Sequence, residues 1–205
     1  MIAIIDYGVG NLFSVEKAFA SIGEEVKVTG SAEDLRTADK LVLPGVGAFG
    51  DCMKNLESTG LIPIIKEQVA NKKNLFGICV GLQILFENSE ESPGVSGLGI
   101  LKGTIKKINA PQLKIPHMGW NFLIKNAECR MQNDFLNGLD RSYFYFVHSY
   151  HAVPEDKNLI AATTDYGETL TAAIAYENIF ATQFHPEKSG DVGLKLLKNF
   201  CDWKA

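Results

Sequence analysis

The chain has no excess of positive charge. Twenty lysines and arginines stand against 24 aspartates and glutamates, for a net charge of −4. A protein that grips nucleic acid by neutralising phosphates is normally basic, so that class is demoted. No stretch approaches the roughly 18 successive apolar residues of a bilayer-spanning helix, so no membrane partner is expected. The opening residues MIAIIDYGVGNL carry no basic segment and reach Asp6 too early for a secretory signal, which points to the cytoplasm. Cysteine is sparse: Cys52, Cys79, Cys129 and Cys201 are far apart and form no CxxC pair. That spacing argues against a disulfide framework or a zinc site. There is no GKS or GKT, and no full GxGxxG behind a strand, so nucleotide phosphate binding has little support. Internal repeats, low-complexity tracts and linkers are also missing.

What remains is an ordinary globular composition, 46% hydrophobic and 21% charged over 205 residues. The length fits one α/β domain spanning residues 1–205. Ile2 to Asp6 (IAIID) reads as a short buried strand closed by the turn cluster Tyr7-Gly8-Val9-Gly10-Asn11. Leu12, Val15, Phe19 and Ile22 follow at helical spacing, with Gly23 as the stop. Glu25 to Thr29 and Lys40 to Leu43 read as further strands, the latter cut off by Pro44-Gly45. A helical region broken near Gly60 and Pro63 leads to a fourth strand, Asn74 to Cys79, and Val80 to Glu87 resumes helical periodicity. Strands separated by such crossovers imply a parallel sheet. After the loop Asn88 to Gly99, β-type runs dominate (ILKGTIKKI, GWNFLI, YFYFVHSY, TLTAAIAYE, IFATQF), with Glu177-Asn178 as a hairpin turn. Ser189 to Trp203 is an amphipathic helix. The expected fold is α/β: a mainly parallel central sheet flanked by helices, with antiparallel strands in the C-terminal half.

Three stretches carry chemistry. In Gly77-Ile78-Cys79-Val80-Gly81-Leu82-Gln83, a cysteine sits where a buried strand turns into a helix, at the sheet edge where α/β ligands bind. A helix N-terminus there favours thiolate. Cys79 also reads as a small hydrophobe ending a strand, and the turn alone leaves the two readings balanced. A thiolate nucleophile needs a base. His185 closes the run IFATQF; Pro186 keeps the chain extended there, so Glu187 shares its face and can fix the imidazole tautomer. Leu43 to Phe49 (LPGVGAF) places glycines after the third strand; their backbone N–H groups, with that of Val80, can form an oxyanion hole. His148-Ser149-Tyr150 either lines the same pocket or belongs to an aromatic-rich core strand.

These residues resemble a known family. GICVGLQ contains the complete G-x-C-x-G-x-Q signature, and with HPE about a hundred residues later it is similar to the glutaminase domains of the Cys-His-Glu class I glutamine amidotransferases. IIDYGVGNL, LPGVGAF, KIPHMGWN (Lys114 to Asn121), FVHSY and QFHPEKS narrow the resemblance to the glutaminase subunits of imidazole glycerol phosphate synthases, over essentially the whole chain. The resemblance implies Cys79 as nucleophile, His185 as general base and then acid, and Glu187 as its orienter. It implies Gly47 and Val80 at the oxyanion, and Gly45, Gly47, Gln83, His148, Ser149 and Tyr150 around glutamine. Asn11, Tyr145 and Lys188 match positions at the subunit interface and ammonia passage. The implied partner is a (βα)₈-barrel cyclase subunit in a heterodimer. There ammonia converts the phosphoribulosyl-formimino intermediate PRFAR to imidazole glycerol phosphate and the carboxamide ribotide AICAR, in histidine biosynthesis. No cofactor and no metal is implied. Two other readings stay open: a paralogue delivering ammonia to another acceptor, such as an amidino sugar, and a non-catalytic regulatory module on the same fold.

Overall fold

The computed structural model describes residues 1–129 and 134–203. Its first half alternates strand and helix: β1 (Ile2–Ile5), α1 (Leu12–Ser21), β2 (Val26–Thr29), α2 (Ala32–Thr37), β3 (Lys40–Gly45), α3 (Phe49–Ser58), α4 (Ile62–Ala70), β4 (Asn74–Cys79) and α5 (Val80–Gln83). The second half is mostly strand: β5 (Asn88–Ser89), β6 (Gly103–Lys107), β7 (His117–Phe122), β8 (Ile124–Lys125), β9 (Tyr143–His148), β10 (Tyr150–Pro154), β11 (Ile160–Asp165), β12 (Thr169–Tyr176) and β13 (Ile179–Thr182). It closes with α6 (Gly190–Asp202).

An eight-stranded sheet runs in the order β2-β1-β3-β4-β13-β12-β11-β8. Neighbours from β2 through β13 are parallel, and those beyond β13 are antiparallel. The sheet is thus mainly parallel with antiparallel additions from late in the chain. β1, β4 and β13 are buried at every residue, as parallel strands covered on both faces must be. Two smaller units stand apart from this sheet, β10-β6-β5 and the antiparallel ribbon β7–β9. No helix among the described residues is long and apolar enough to cross a membrane.

Local chemistry accounts for the elements. Asn11 caps α1 by accepting from the Ser14 N–H at 3.4 Å, Val15 and Phe19 face the core, and Gly23 follows at φ 84°. In α6, Leu196, Leu197 and Phe200 are buried. The Lys40 ammonium donates to the carbonyls of Phe200, Cys201 and Trp203 at 2.8, 2.6 and 2.6 Å, which caps the negative end of that helix. Rings of Phe76, Phe135, Phe180, Phe200 and Trp203 pack together beneath it.

The structure departs from the expected elements at several places, among them β5 inside the expected loop Asn88 to Gly99. β3 does not stop at Leu43. Its pairing with β1 ends at Val42, so Pro44 sits where only β4 is beside it and its missing N–H breaks no two-sided ladder. The helix expected over Val80 to Glu87 ends at Gln83. Beyond it the carbonyls of Ile84, Leu85, Phe86 and Glu87 accept from N–H groups of residues 97–101 instead of continuing a helix. α2 and β11 were not among the expected elements. α2 is a six-residue turn of helix capped by Ser31, with Leu35 its one buried residue. β11 is the strand IAATTD, irregularly paired with β12.

Candidate active site

β1, β3, β4 and β13 run parallel, so their carboxyl ends meet at one edge of the sheet. Cys79 ends β4 and precedes α5 with φ 56° and ψ −112°. A side chain in this conformation costs about 1–3 kcal/mol, so its surroundings must impose it. Gly81 shows how. A Cβ there would lie 1.9 Å from the Leu43 carbonyl oxygen, so only glycine lets α5 press onto β3. On the opposite side, Gly45 pairs with Cys79 across the β3–β4 ladder.

The segment after β3 is tethered from below. The Cys52 thiol donates to the Val46 carbonyl at 3.3 Å, and the Phe49 and Gly50 N–H groups donate to Glu91 Oε2 at 2.7 Å and Ser92 Oγ at 3.0 Å. Because a trans peptide is planar, a Val46 carbonyl turned toward Cys52 aims the Gly47 N–H the other way. Gly47 has φ +90°, and a Cβ built on it would meet nothing within 4 Å.

His185 follows β13. Its ring Nδ1 lies 2.8 Å from Glu187 Oε1, both side chains being only 2% exposed. The contact forms differently from the sequence expectation: Pro186–Lys188 is a single 3₁₀ turn, not extended chain, and it is this turn that folds Glu187 back to the ring. A carboxylate only accepts, so Nδ1 carries the proton. The other ring nitrogen, Nε2, is buried and makes no hydrogen bond among the described residues. Burial alone would lower the proton affinity of this imidazole. The nearby Cys79 sulfur and the Glu187 carboxylate outweigh burial and raise it above that of an ordinary histidine. The backbone is held as well: the His185 N–H donates to the Tyr145 carbonyl at 2.9 Å, and Ser189 Oγ both donates to the His185 carbonyl at 2.6 Å and accepts from the Tyr145 N–H at 3.0 Å.

A cavity of about 360 Å³ opens at this edge. Cys79, Val80, Gly47, Gln83, His148, Ser149, Tyr150, His185 and Lys188 line it, together with Val46, Glu91, Pro116 and Val147, which sequence reasoning did not single out. Pro116 and Val147 flank histidines inside KIPHMGWN and FVHSY, a cue that was available. Gly45 lies behind the wall, its α-carbon facing the Gly81 nitrogen, 2.6 Å from a built Cβ. Asn11 is exposed and caps α1. Lys188 lines the cavity and lies over the Tyr145 ring, 5.9 Å from its centroid; Tyr145 is not part of the lining.

A buried polar network backs the cavity; Gln83, His148 and Tyr150 in it were expected site residues, and Gln183 and His117 were not. Gln83 Nε2 donates to the Tyr150 carbonyl at 3.1 Å and to Gln183 Oε1 at 3.0 Å. His148 Nδ1 lies 2.8 Å from the same Tyr150 carbonyl, and His148 Nε2 is 3.0 Å from His117 Nδ1. Burial pushes His148 down to about 3 and His117 to about 4, so both are neutral. Gln183, two residues before His185, is the residue whose position in QFHPE offered a signal.

The family model for class I glutamine amidotransferases matches residues 3–203. The imidazole glycerol phosphate synthase subunit HisH of Methanothermobacter thermautotrophicus is 50% identical over 202 residues, covering 98% of each chain. That of Acinetobacter baylyi is 48% identical over 204 residues, again covering 98% of both. Among solved structures, a glutamine amidotransferase superimposes with a TM-score of 0.75 at 19% identity, covering 98% of this chain and 100% of the other. PurLQS from Thermotoga maritima gives the same score and identity, covering 98% and 97%. These two likenesses speak for the fold, and the sequence matches for descent: the chain belongs to the class I glutamine amidotransferases, within the HisH subunits of imidazole glycerol phosphate synthase.

Proposed function

We propose that residues 1–205 form one glutaminase domain that hydrolyses glutamine and delivers the ammonia to a cyclase subunit, a (βα)₈ barrel, for imidazole glycerol phosphate synthesis in the cytoplasm. Cys79 attacks the side-chain carbonyl carbon of glutamine as the thiolate, and the tetrahedral oxyanion is met by the N–H groups of Gly47 and Val80. His185, carrying the proton taken from the thiol, gives it to the leaving nitrogen as the C–N bond breaks. Ammonia departs and a glutamyl thioester remains. His185 then takes a proton from water as the water attacks, and glutamate is released. Glu187 keeps the ring turned and stabilises the imidazolium. Gln83 and the His148-Ser149-Tyr150 segment hold glutamine, with Gly45 supporting Gly47 from behind. Asn11, Tyr145 and Lys188 lie toward the partner and the ammonia passage. A dry passage matters because ammonia in neutral water is mostly ammonium, which is no nucleophile.

One observation carries this reading: a cysteine in a strained strand-to-helix turn shares a buried cavity with a histidine whose other nitrogen is bonded to a carboxylate at 2.8 Å. The test is glutamine hydrolysis with and without the cyclase subunit and its nucleotide ligand. Strong stimulation is expected, and Cys79→Ala is expected to abolish glutamine-dependent turnover while ammonia-dependent turnover in the complex survives. Glutamine-dependent turnover in Cys79→Ala would refute the assignment of the nucleophile.

A further inference from the structure

The network behind Cys79 can be assigned outward from one atom. The Tyr150 carbonyl can only accept, and it meets His148 Nδ1 at 2.8 Å and Gln83 Nε2 at 3.1 Å. His148 therefore has its proton on Nδ1 and offers Nε2 to the Nδ1–H of His117 at 3.0 Å. His117 in turn offers its Nε2 to the Asn121 amide at 3.3 Å. In the other direction, the second N–H of Gln83 goes to Gln183 Oε1 at 3.0 Å. That bond fixes which end of the Gln183 amide is oxygen. Its nitrogen is left facing Cys79, 3.8 Å from the sulfur. Gln183 is 0% exposed and does not line the cavity, so it approaches the sulfur from behind.

We propose that Gln183 is a further catalytic residue of the glutamine hydrolysis, its amide N–H donating to the Cys79 sulfur and holding the thiolate beside the His185 imidazolium. The proposal rests on the reading of Cys79 as nucleophile. His148, Glu91 and Lys188 share the cavity lining with Cys79, and two buried groups behind it, Tyr7 and Cys52, have their protons committed elsewhere. Tyr7, after β1, donates to the Pro44 carbonyl at 2.6 Å, and Cys52, on α3, donates to the Val46 carbonyl at 3.3 Å. Burial raises both, Cys52 to about 11, so neither competes as an acid. Of these side chains, Gln183 faces Cys79 with an amide N–H, and His185 has an N–H to offer it only once the imidazole is protonated at Nε2. The two differ in kind: His185 must surrender its proton to the leaving nitrogen, whereas an amide N–H keeps its proton throughout. Gln183 thus supplies a donor that stays beside the sulfur through the thioester stage, when His185 is neutral, and is already in place when the thiolate is regenerated.

The test is the pH dependence of Cys79 alkylation by iodoacetamide in the full chain, read on the Cys79 peptide by mass so that Cys52, Cys129 and Cys201 do not contribute. Gln183→Met and Gln183→Leu are expected to raise the midpoint by about a unit and slow alkylation near neutral pH by about tenfold. In the complex, kcat for glutamine is expected to fall with KM little changed, since Gln183 lies outside the cavity wall. An unchanged midpoint in a folded variant overturns the proposal. Should neither variant fold, wild-type chain carrying ¹⁵N-glutamine decides: the Gln183 side-chain amide resonance must shift with the same midpoint as Cys79 alkylation, and a resonance that does not move overturns the proposal. Failure of the nucleophile reading looks different, because Cys79→Ala would then keep glutamine turnover whatever the Gln183 variants do.

Discussion

Replacing Cys79 by glycine is expected to leave the chain more stable than replacing it by alanine, the reverse of the usual order. Both variants delete the thiol, so their difference isolates the backbone. At φ 56° and ψ −112° the residue lies outside every well that an L side chain favours, including the left-handed one. Holding a Cβ there costs about 1–3 kcal/mol, which alanine still bears and glycine does not. Against this stands the ordinary advantage of alanine, about 0.5–1 kcal/mol from the greater freedom glycine has when unfolded. The balance favours glycine by about 1 kcal/mol, or roughly 2–4 °C in melting temperature for a chain of this size. Thermal melts of Cys79→Ala and Cys79→Gly in one buffer measure it. Ala20→Gly, at an exposed position inside α1, serves as control and should show the usual sign, a loss of about 1 kcal/mol. If Cys79→Ala melts above Cys79→Gly while the control behaves normally, the turn is unstrained and the reasoning fails.

Two further outcomes follow from the same geometry. Gly81→Ala puts a Cβ 1.9 Å from the Leu43 carbonyl, a clash with backbone that cannot yield cheaply. A loss on the order of 3 kcal/mol is expected in urea denaturation, and a loss under 1 kcal/mol would mean that α5 does not press on β3 as described. His117 and His148 are held near 4 and 3 when folded, against an ordinary 6.5, so the unfolded chain binds more protons than the folded one between those values. Their contribution is intact above pH 6.5 and is lost as pH falls toward about 4. Melting temperature should drop across that window, and His117→Gln should flatten the drop; an unaltered slope would show that His117 titrates freely.

The parallel half of the fold was legible because its strands are short, almost wholly apolar runs between helical stretches. NLFGIC became β4 with unchanged bounds, since its apolar run is buried on both faces and stops at the Cys79 turn. α2 and β11 were not legible for the opposite reason. α2 buries a single apolar residue, too few to set a period, and IAATTD mixes alanine and threonine without alternation. The end of α5 is set by N–H groups from residues 97–101, and a window around Gln83 does not contain them. The partners His185 and Glu187 were legible from their spacing, but the backbone joining them was not: two residues apart share a side of an extended chain, yet a 3₁₀ turn makes the same contact. Gln183 stayed hidden because the direction of an amide depends on the acceptors around it, and Gln83 lies a hundred positions away in sequence.

The attachment of His185 sets what its position is measured against. β13 ends at Thr182, and from there the chain is carried by the ribbon β7–β9: Phe184 packs on Phe144 and Phe146, and the His185 N–H hangs from the Tyr145 carbonyl. The imidazole is therefore a span between two piers, the central sheet on one side and the ribbon on the other. The outer side of the ribbon bears the exposed Met118, Trp120 and Tyr143. A displacement of β9 would carry with it the Tyr145 carbonyl that holds His185, whereas Cys79 is held by β4 in the central sheet. The two reacting groups thus stand on different supports, and the space between them depends on how the ribbon seats against the sheet.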